Sequence, residues 1–132
     1  MLTPVTTTSI YAVLLALLFL GLSVRAMLGR RRARVPLGDG AGEELRRRLR
    51  AHANFAEYTP LALILMALLE LQGAGGVVLN IIGLLLLAGR VAHAFGISRI
   101  PEHLPARSFG MGLTMLSMIL SCLALVSIAL FG

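Results

Sequence analysis

Long apolar runs and short polar breaks alternate along this chain. The first run extends from Val5 to Leu28 and carries no charge before Arg25. A second opens near Arg50 and continues to Leu71, a third covers 77–97 and a fourth 107–131. Each has the roughly 20 residues that a helix needs to cross a hydrocarbon core. The pattern therefore predicts an all-α integral membrane protein, a bundle of four transmembrane helices forming one domain over residues 1–132, with spans of about 5–28, 50–71, 77–97 and 107–131. The breaks agree with this division. Gln72-Gly73-Ala74-Gly75-Gly76 suits only a tight turn, and Pro101 and Pro105 interrupt helix between Ser98 and Ala106. Val35 to Gly42 reads as a turn, and Glu43 and Glu44 then stand in a first helical turn, where the helix dipole favours acids. The second helix is thus expected to begin outside the membrane and run into it. The opening MLTPVTTTSIY lacks the basic start of a secretory signal, so the first span is expected to be retained.

Composition strengthens the membrane assignment. The chain is 58% hydrophobic and 14% charged, too apolar for a soluble domain of 132 residues to cover itself with polar surface. Its twelve basic residues are all arginine, against six acids, for a net charge of +6. Nine of the twelve lie between Arg25 and Arg50, without the interleaved aromatics that stack on bases, which argues against nucleic acid as a partner. They point to membrane lipids instead: RRRAR (Arg30 to Arg34) is an orientation signal and a contact for anionic headgroups. Arginines occupy the loops after spans one and three and are missing from the 72–76 turn. The positive-inside rule then puts both termini outside and the two longer loops in the cytoplasm. The single cysteine, Cys122, offers no disulfide framework or metal cluster and reads as inert packing beside Ser117, Ser121 and Ser127.

Polar residues inside the spans need a reason, because each charge there costs about 2.5–3.5 kcal/mol on the insertion scale. On helix two, Arg47, Arg50, Asn54, Glu57 and Tyr58 share a face, and His52 points away. On helix three, Arg90 and His93 share a face, while Ala88, Ala92 and Gly96 make a small-residue stripe suited to close helix approach. Counting depth from the arginine-rich ends sets Glu57 level with Arg90 and Asn54 level with His93. If those faces meet, within one chain or between chains, they form a polar pocket open to the cytoplasm. The plainer alternative is a structural ion pair between Glu57 and Arg90 with interhelical hydrogen bonds from Asn54 and His93. Arg25, taken alone, is a snorkelling anchor, and Glu70 and His52 are interfacial.

The run from Arg50 to Pro60 (RAHANFAEYTP), followed by Gly89-Arg90-Val91-Ala92-His93, resembles the signature of the MAPEG family, the membrane-associated proteins of eicosanoid and glutathione metabolism. NFAEYTPLAL is closest in character to the bacterial branch, which suggests a bacterial inner membrane. The resemblance implies a homotrimer that binds glutathione between adjacent subunits near the cytoplasmic side. It implies that Arg50, Asn54 and Glu57 hold the tripeptide with Tyr58 beside them, that Arg90 and His93 contribute from helix three, and that Arg25 lines the pocket. The thiol-activating arginine of the family, at the start of helix four, matches Arg107, with Arg99 the other arginine of that loop. Several family enzymes carry a tyrosine where this chain has Ile97. The chemistry suits the ligand: two carboxylates and an ammonium ask for arginines and one carboxylate. The function expected is that of a glutathione-dependent transferase or peroxidase acting on small hydrophobic electrophiles or lipid hydroperoxides. The alternative is a non-catalytic relative whose polar cluster binds lipid headgroups or pins a trimer. A transporter ranks last, because the outer halves of the spans carry no continuing polar path.

Overall fold

A computed structural model of the chain describes residues 4–38 and 42–132. Those residues form four helices, α1 (Thr6–Ala33), α2 (Gly42–Leu71), α3 (Gly76–Ser98) and α4 (Leu104–Phe131). All four are long and apolar enough to cross a membrane. In the most apolar stretch of each helix no more than 44% of residues are buried within the bundle, so most of the apolar surface is left for lipid to cover. The helices run up and down. α2 and α3 pack against each other in the middle, and α1 and α4 flank this pair on opposite sides.

The helix ends differ from the sequence expectation for physical reasons. α1 continues beyond Leu28 through the arginines to Ala33, and Arg34 closes it in the left-handed conformation at φ 55°. Arginines in a last turn complement the helix dipole, so this run extends the helix. α2 begins at Gly42, as its acidic first turn suggested; residues 39–41 of the expected turn lie outside the described residues. α4 begins three residues before Arg107. Pro105 sits in its first turn, where a missing N–H costs no hydrogen bond, and His103 Nδ1 accepts from the Ala106 N–H at 3.2 Å. The α2–α3 turn closes through Gly73 at φ 83°, a conformation that favours glycine.

Two apolar clusters fill the bundle. Leu15, Leu22, Phe55, Leu86 and Ile97 pack toward the arginine-rich end, and Tyr11, Met66, Leu69, Leu79 and Ile82 toward the other. At that second end Glu70 plays a part its sequence position did not reveal. Its two carboxylate oxygens accept the backbone N–H groups of Thr7 and Thr8, at 2.8 and 2.7 Å. These donors belong to the first turn of α1, which has no side-chain cap of its own. A carboxylate from α2 thus caps α1 across the bundle, satisfying unpaired donors and the positive end of the dipole together. Glu70→Ala is expected to cost about 1–2 kcal/mol and to lower the thermal midpoint in detergent; an unchanged midpoint would show the cap to be idle.

His52 also has a structural place. It stacks on Phe19 with ring centroids 4.8 Å apart, and its Nε2 lies 3.1 Å from Ser23 Oγ, tying α2 to α1. The expected small-residue stripe on α3 holds at Gly96, which closely approaches the start of α4, but not at Ala88, which is exposed; Gly89 makes the other close approach, against Gly110. A Cβ on Gly110 would collide with the His93 backbone nitrogen, and one on Gly96 with that of Arg107. Cys122 does not pack inside: it is exposed on the outer face of α4, while Ser117 and Ser121 are buried.

Candidate functional site

The glycine seam between α3 and α4 positions the polar cluster. Arg90 projects from the middle pair of helices and is 1% exposed, the bulkiest of the fully buried side chains. It links three helices. Nε donates to Thr114 Oγ1 of α4 at 3.1 Å, Nη1 donates to Asn54 Oδ1 of α2 at 2.8 Å, and Nη2 approaches Met111 Sδ at 3.7 Å. The Tyr58 ring lies 5.8 Å from the guanidinium carbon. Thr114 itself donates back to Gly110 O at 2.9 Å, at the point where the two helices come closest. No carboxylate pairs with Arg90 among the described residues. Neutral oxygens and a π face hold it, leaving a net positive charge in a low-dielectric interior.

This arrangement overturns, within the chain, the alternative of a structural ion pair between Glu57 and Arg90. Arg90 takes Asn54, about one turn nearer the arginine-rich end, because Thr114 on α4 fixes its Nε. The α2 face divides as a result. Asn54 and Tyr58 turn inward, half-buried, whereas Arg50 and Glu57 lie about 40–60° around the helix and are exposed. Glu57 makes no hydrogen bond or ion pair among the described residues. Arg50 and Glu57 are seven residues apart, about 10 Å along one stripe of the helix.

His93 is 4% exposed on α3; its backbone nitrogen faces Gly110 of α4, and one turn on, Gly96 meets the backbone of Arg107. α3 and the start of α4 therefore meet beside it. Arg107 is exposed and pairs with Glu102, which also lies 3.8 Å from Arg47. The Arg107 hydrogen bond holds the Glu102 carboxyl below its ordinary value of 4.5. Arg47 further reaches Ile97 O at 3.4 Å. Arg99 lies elsewhere, with its guanidinium 4.7 Å from the Phe95 ring. Arg25 is likewise apart from the cluster in the single chain: its Nη1 donates to Ser98 Oγ at 3.0 Å across the α1/α3 cleft.

The structure thus brings together Asn54, Tyr58, Arg90 and His93, sets Arg50, Glu57 and Arg107 on the exposed margin, and separates Arg25. Three residues of the cluster escaped the sequence reading. Glu102 is the only acid in the second arginine loop, which was its one available signal. Thr114 opens a stripe with Ser117 and Ser121 at helical spacing, a pattern of buried hydroxyls. Met111 carried none.

Comparison with known proteins identifies the family. The chain is 42% identical over 88 residues to the inner membrane protein YecN of Escherichia coli strain K12, an overlap of 67% of each chain. YecN of an Escherichia coli O6:H1 strain gives the same identity and overlap. The model of the MAPEG family matches residues 8–127, reaching into all four helices and covering the whole polar cluster. This chain belongs to the MAPEG family.

Proposed function

We propose that the protein is a glutathione-dependent membrane transferase or peroxidase acting on hydrophobic electrophiles or hydroperoxides. The observation that carries this reading is the unpaired Glu57. It is an exposed carboxylate at membrane depth, on one stripe with the exposed Arg50 about 10 Å away. That separation is close to the roughly 10–11 Å of an extended tripeptide. An arginine at one end of the stripe suits a carboxylate of glutathione, and a carboxylate at the other end suits its ammonium. Asn54 and Tyr58 border the stripe on the inner side, and Arg90 and His93 stand behind them.

Burial of Arg50 and Glu57 away from lipid would be met by a second chain over this face, in keeping with the homotrimer, ligand between subunits, that the family resemblance implies. Arg25, in its own cleft, reaches the tripeptide only as a neighbour's residue in such an assembly. The arginine distribution supports an orientation with the basic loops in the cytoplasm and both termini outside. YecN's name as an inner membrane protein supports a bacterial inner membrane as the location.

The chemical task is activation of the thiol. At an ordinary pKa of about 8.5, only a few per cent is thiolate at pH 7. A guanidinium beside the sulfur favours the anion, and lowering the pKa by two units takes about 2.7 kcal/mol. Arg107 serves this role better than Arg99, because its backbone packs against Gly96, one turn from His93, whereas Arg99 rests on Phe95. Glu102 positions Arg107 by pairing with it. The second substrate arrives through the bilayer, since the outer surface of the helices is apolar.

The test is glutathione-dependent turnover by the detergent-purified protein, with a hydrophobic hydroperoxide and an activated aryl halide as separate substrates. Turnover of at least one is expected, with a loss of about tenfold or more in Arg107→Ala. Absence of turnover with both would favour the non-catalytic reading, in which the same cluster only binds.

A further inference from the structure

A groove between α1 and α2 lies on the far side of α2 from Arg50 and Glu57, about 160–180° around the helix. It encloses about 260 Å³ and crosses the middle of both spans, between Ala12 and Phe19 on α1 and between Phe55 and Leu63 on α2. Leu15 and Phe55 are buried at its floor, and the small side chains of Ala12, Ala16 and Ala56 keep its walls low. Ala16, Ala56 and Pro60 are exposed, so the groove opens toward lipid. The Phe19 ring, stacked between His52 and Phe55, closes it toward the arginine-rich end.

Two polar groups of α2 stand in this groove without the partners a helix normally gives them. Thr59 is 3% exposed, and its Oγ1 makes no hydrogen bond. Helical hydroxyls elsewhere in the bundle do bond: Ser23, Thr114, Ser117 and Ser121 each donate to a carbonyl three or four residues back. Thr8, the other unpartnered buried hydroxyl among the described residues, stands in the first turn of α1, at the end of the bundle. The second group is the Ala56 carbonyl. Its helical donor would be the N–H of residue 60, and that residue is proline.

Depth makes both vacancies costly. Thr59 lies about 14 Å along the helix from Arg50, close to the middle of a hydrocarbon core roughly 30 Å thick. Water does not reach there to serve either group. One ligand group answers both: a hydroxyl, whose O–H donates to the Ala56 carbonyl and whose oxygen accepts from Thr59 Oγ1. An ether or ketone oxygen answers Thr59 alone. A second copy of this chain does not bring such a group to this depth. The exposed serines and threonines among the described residues, Thr6, Ser9, Ser108 and Ser127, all stand within roughly one turn of a helix end.

We infer that the α1/α2 groove binds an apolar alcohol dissolved in the bilayer, its hydroxyl held between Thr59 Oγ1 and the Ala56 carbonyl and its hydrocarbon lying along Leu15, Phe55 and Leu63. The apolar floor takes the chain, and the two unpaired groups of α2 take the one polar atom. The groove stands apart from the thiol chemistry proposed above, on the opposite face of α2, and it is probed without glutathione.

The test is photolabelling of the full chain in phosphatidylcholine vesicles, with octanol carrying a diazirine beside its hydroxyl and, separately, with the methyl ether of the same compound. Labelled peptides are located by mass spectrometry, and labelling of residues 12–19 and 55–63 is taken relative to the lipid-facing side of α4 in the same sample. The alcohol is expected to label the groove about tenfold more than the ether, the difference that one buried hydrogen bond makes. Pro60→Ala, which returns an N–H to the Ala56 carbonyl, is expected to abolish that difference. Thr59→Val, which keeps the shape and removes the hydroxyl, is expected to lower labelling by both probes about tenfold. Thr59→Val is also expected to raise the thermal midpoint of the unlabelled protein, since it removes a buried hydroxyl that has no partner. A lowered midpoint would show that hydroxyl to be bonded within the chain and would overturn the proposal. Equal labelling by the two probes in the unaltered chain would overturn it without recourse to any variant. So would a groove that neither probe labels, the result expected if a second copy covers it.

Discussion

Gly110→Leu is expected to yield no monodisperse protein, whereas Gly112→Leu, two residues away, is expected to behave as the parent. A Cβ on Gly110 would collide with the His93 nitrogen and lie 2.6 Å from Gly89 O and 2.9 Å from His93 Cα. All three are backbone atoms of α3, which no side-chain rotation can move aside. The only relief is to push α3 and α4 apart. That separation also breaks the Arg90–Thr114 hydrogen bond and leaves a buried guanidinium short of a partner. Overpacking and the stranded charge together are expected to cost about 3 kcal/mol or more. Gly112 faces away from the seam, and a Cβ there would meet nothing within 4 Å. Size-exclusion profiles of the two variants, with helix content by circular dichroism, check the contrast. Normal behaviour of Gly110→Leu would mean that the two helices do not meet at this glycine.

Glu57→Gln is expected to weaken glutathione binding about 10–100-fold while leaving the thermal midpoint unchanged. The first half follows from the charge. A hydrogen bond from an ammonium to a carboxylate contributes about 1.5–3 kcal/mol, and the amide retains shape and an acceptor but no charge. The second half follows from the geometry, since Glu57 is exposed and pairs with no other residue among those described. Had Glu57 been the counter-ion of Arg90, the same substitution would have destabilised the bundle. A lowered midpoint or a dissociated oligomer with unchanged affinity would therefore assign Glu57 to the scaffold. Titration calorimetry and thermal unfolding on one preparation separate these outcomes.

The four spans and the helical start of α2 were legible because each depends on residues adjacent in sequence: length of apolar run, acids in a first turn, a glycine turn. The polar motif was legible too, as a face of α2 and a face of α3. Which members of the two faces meet was not. Periodicity fixes positions around one helix axis, but where the Arg90 side chain extends depends on neighbours on other helices, here Thr114 on α4 and Asn54 on α2. Depth counted along the two helices sets Glu57 level with Arg90, but the long Arg90 side chain reaches Asn54, about one turn nearer the arginine-rich end. Glu70 illustrates a different limit. Its partners are backbone N–H groups of Thr7 and Thr8, and the sequence carries no mark of an uncapped donor more than sixty residues away. Ala88 fits a packing stripe by composition alone, yet a small residue facing lipid satisfies the same pattern.

The most direct test of the central claim is titration of glutathione into the detergent-purified protein by isothermal calorimetry, with Arg50→Ala alongside. Arg50 is exposed and forms no ion pair among the described residues, so its loss is expected to spare the fold. Saturable binding that Arg50→Ala abolishes is the predicted result, and it would place a carboxylate of the tripeptide on this arginine. No binding at millimolar glutathione, or binding indifferent to Arg50, would contradict the account.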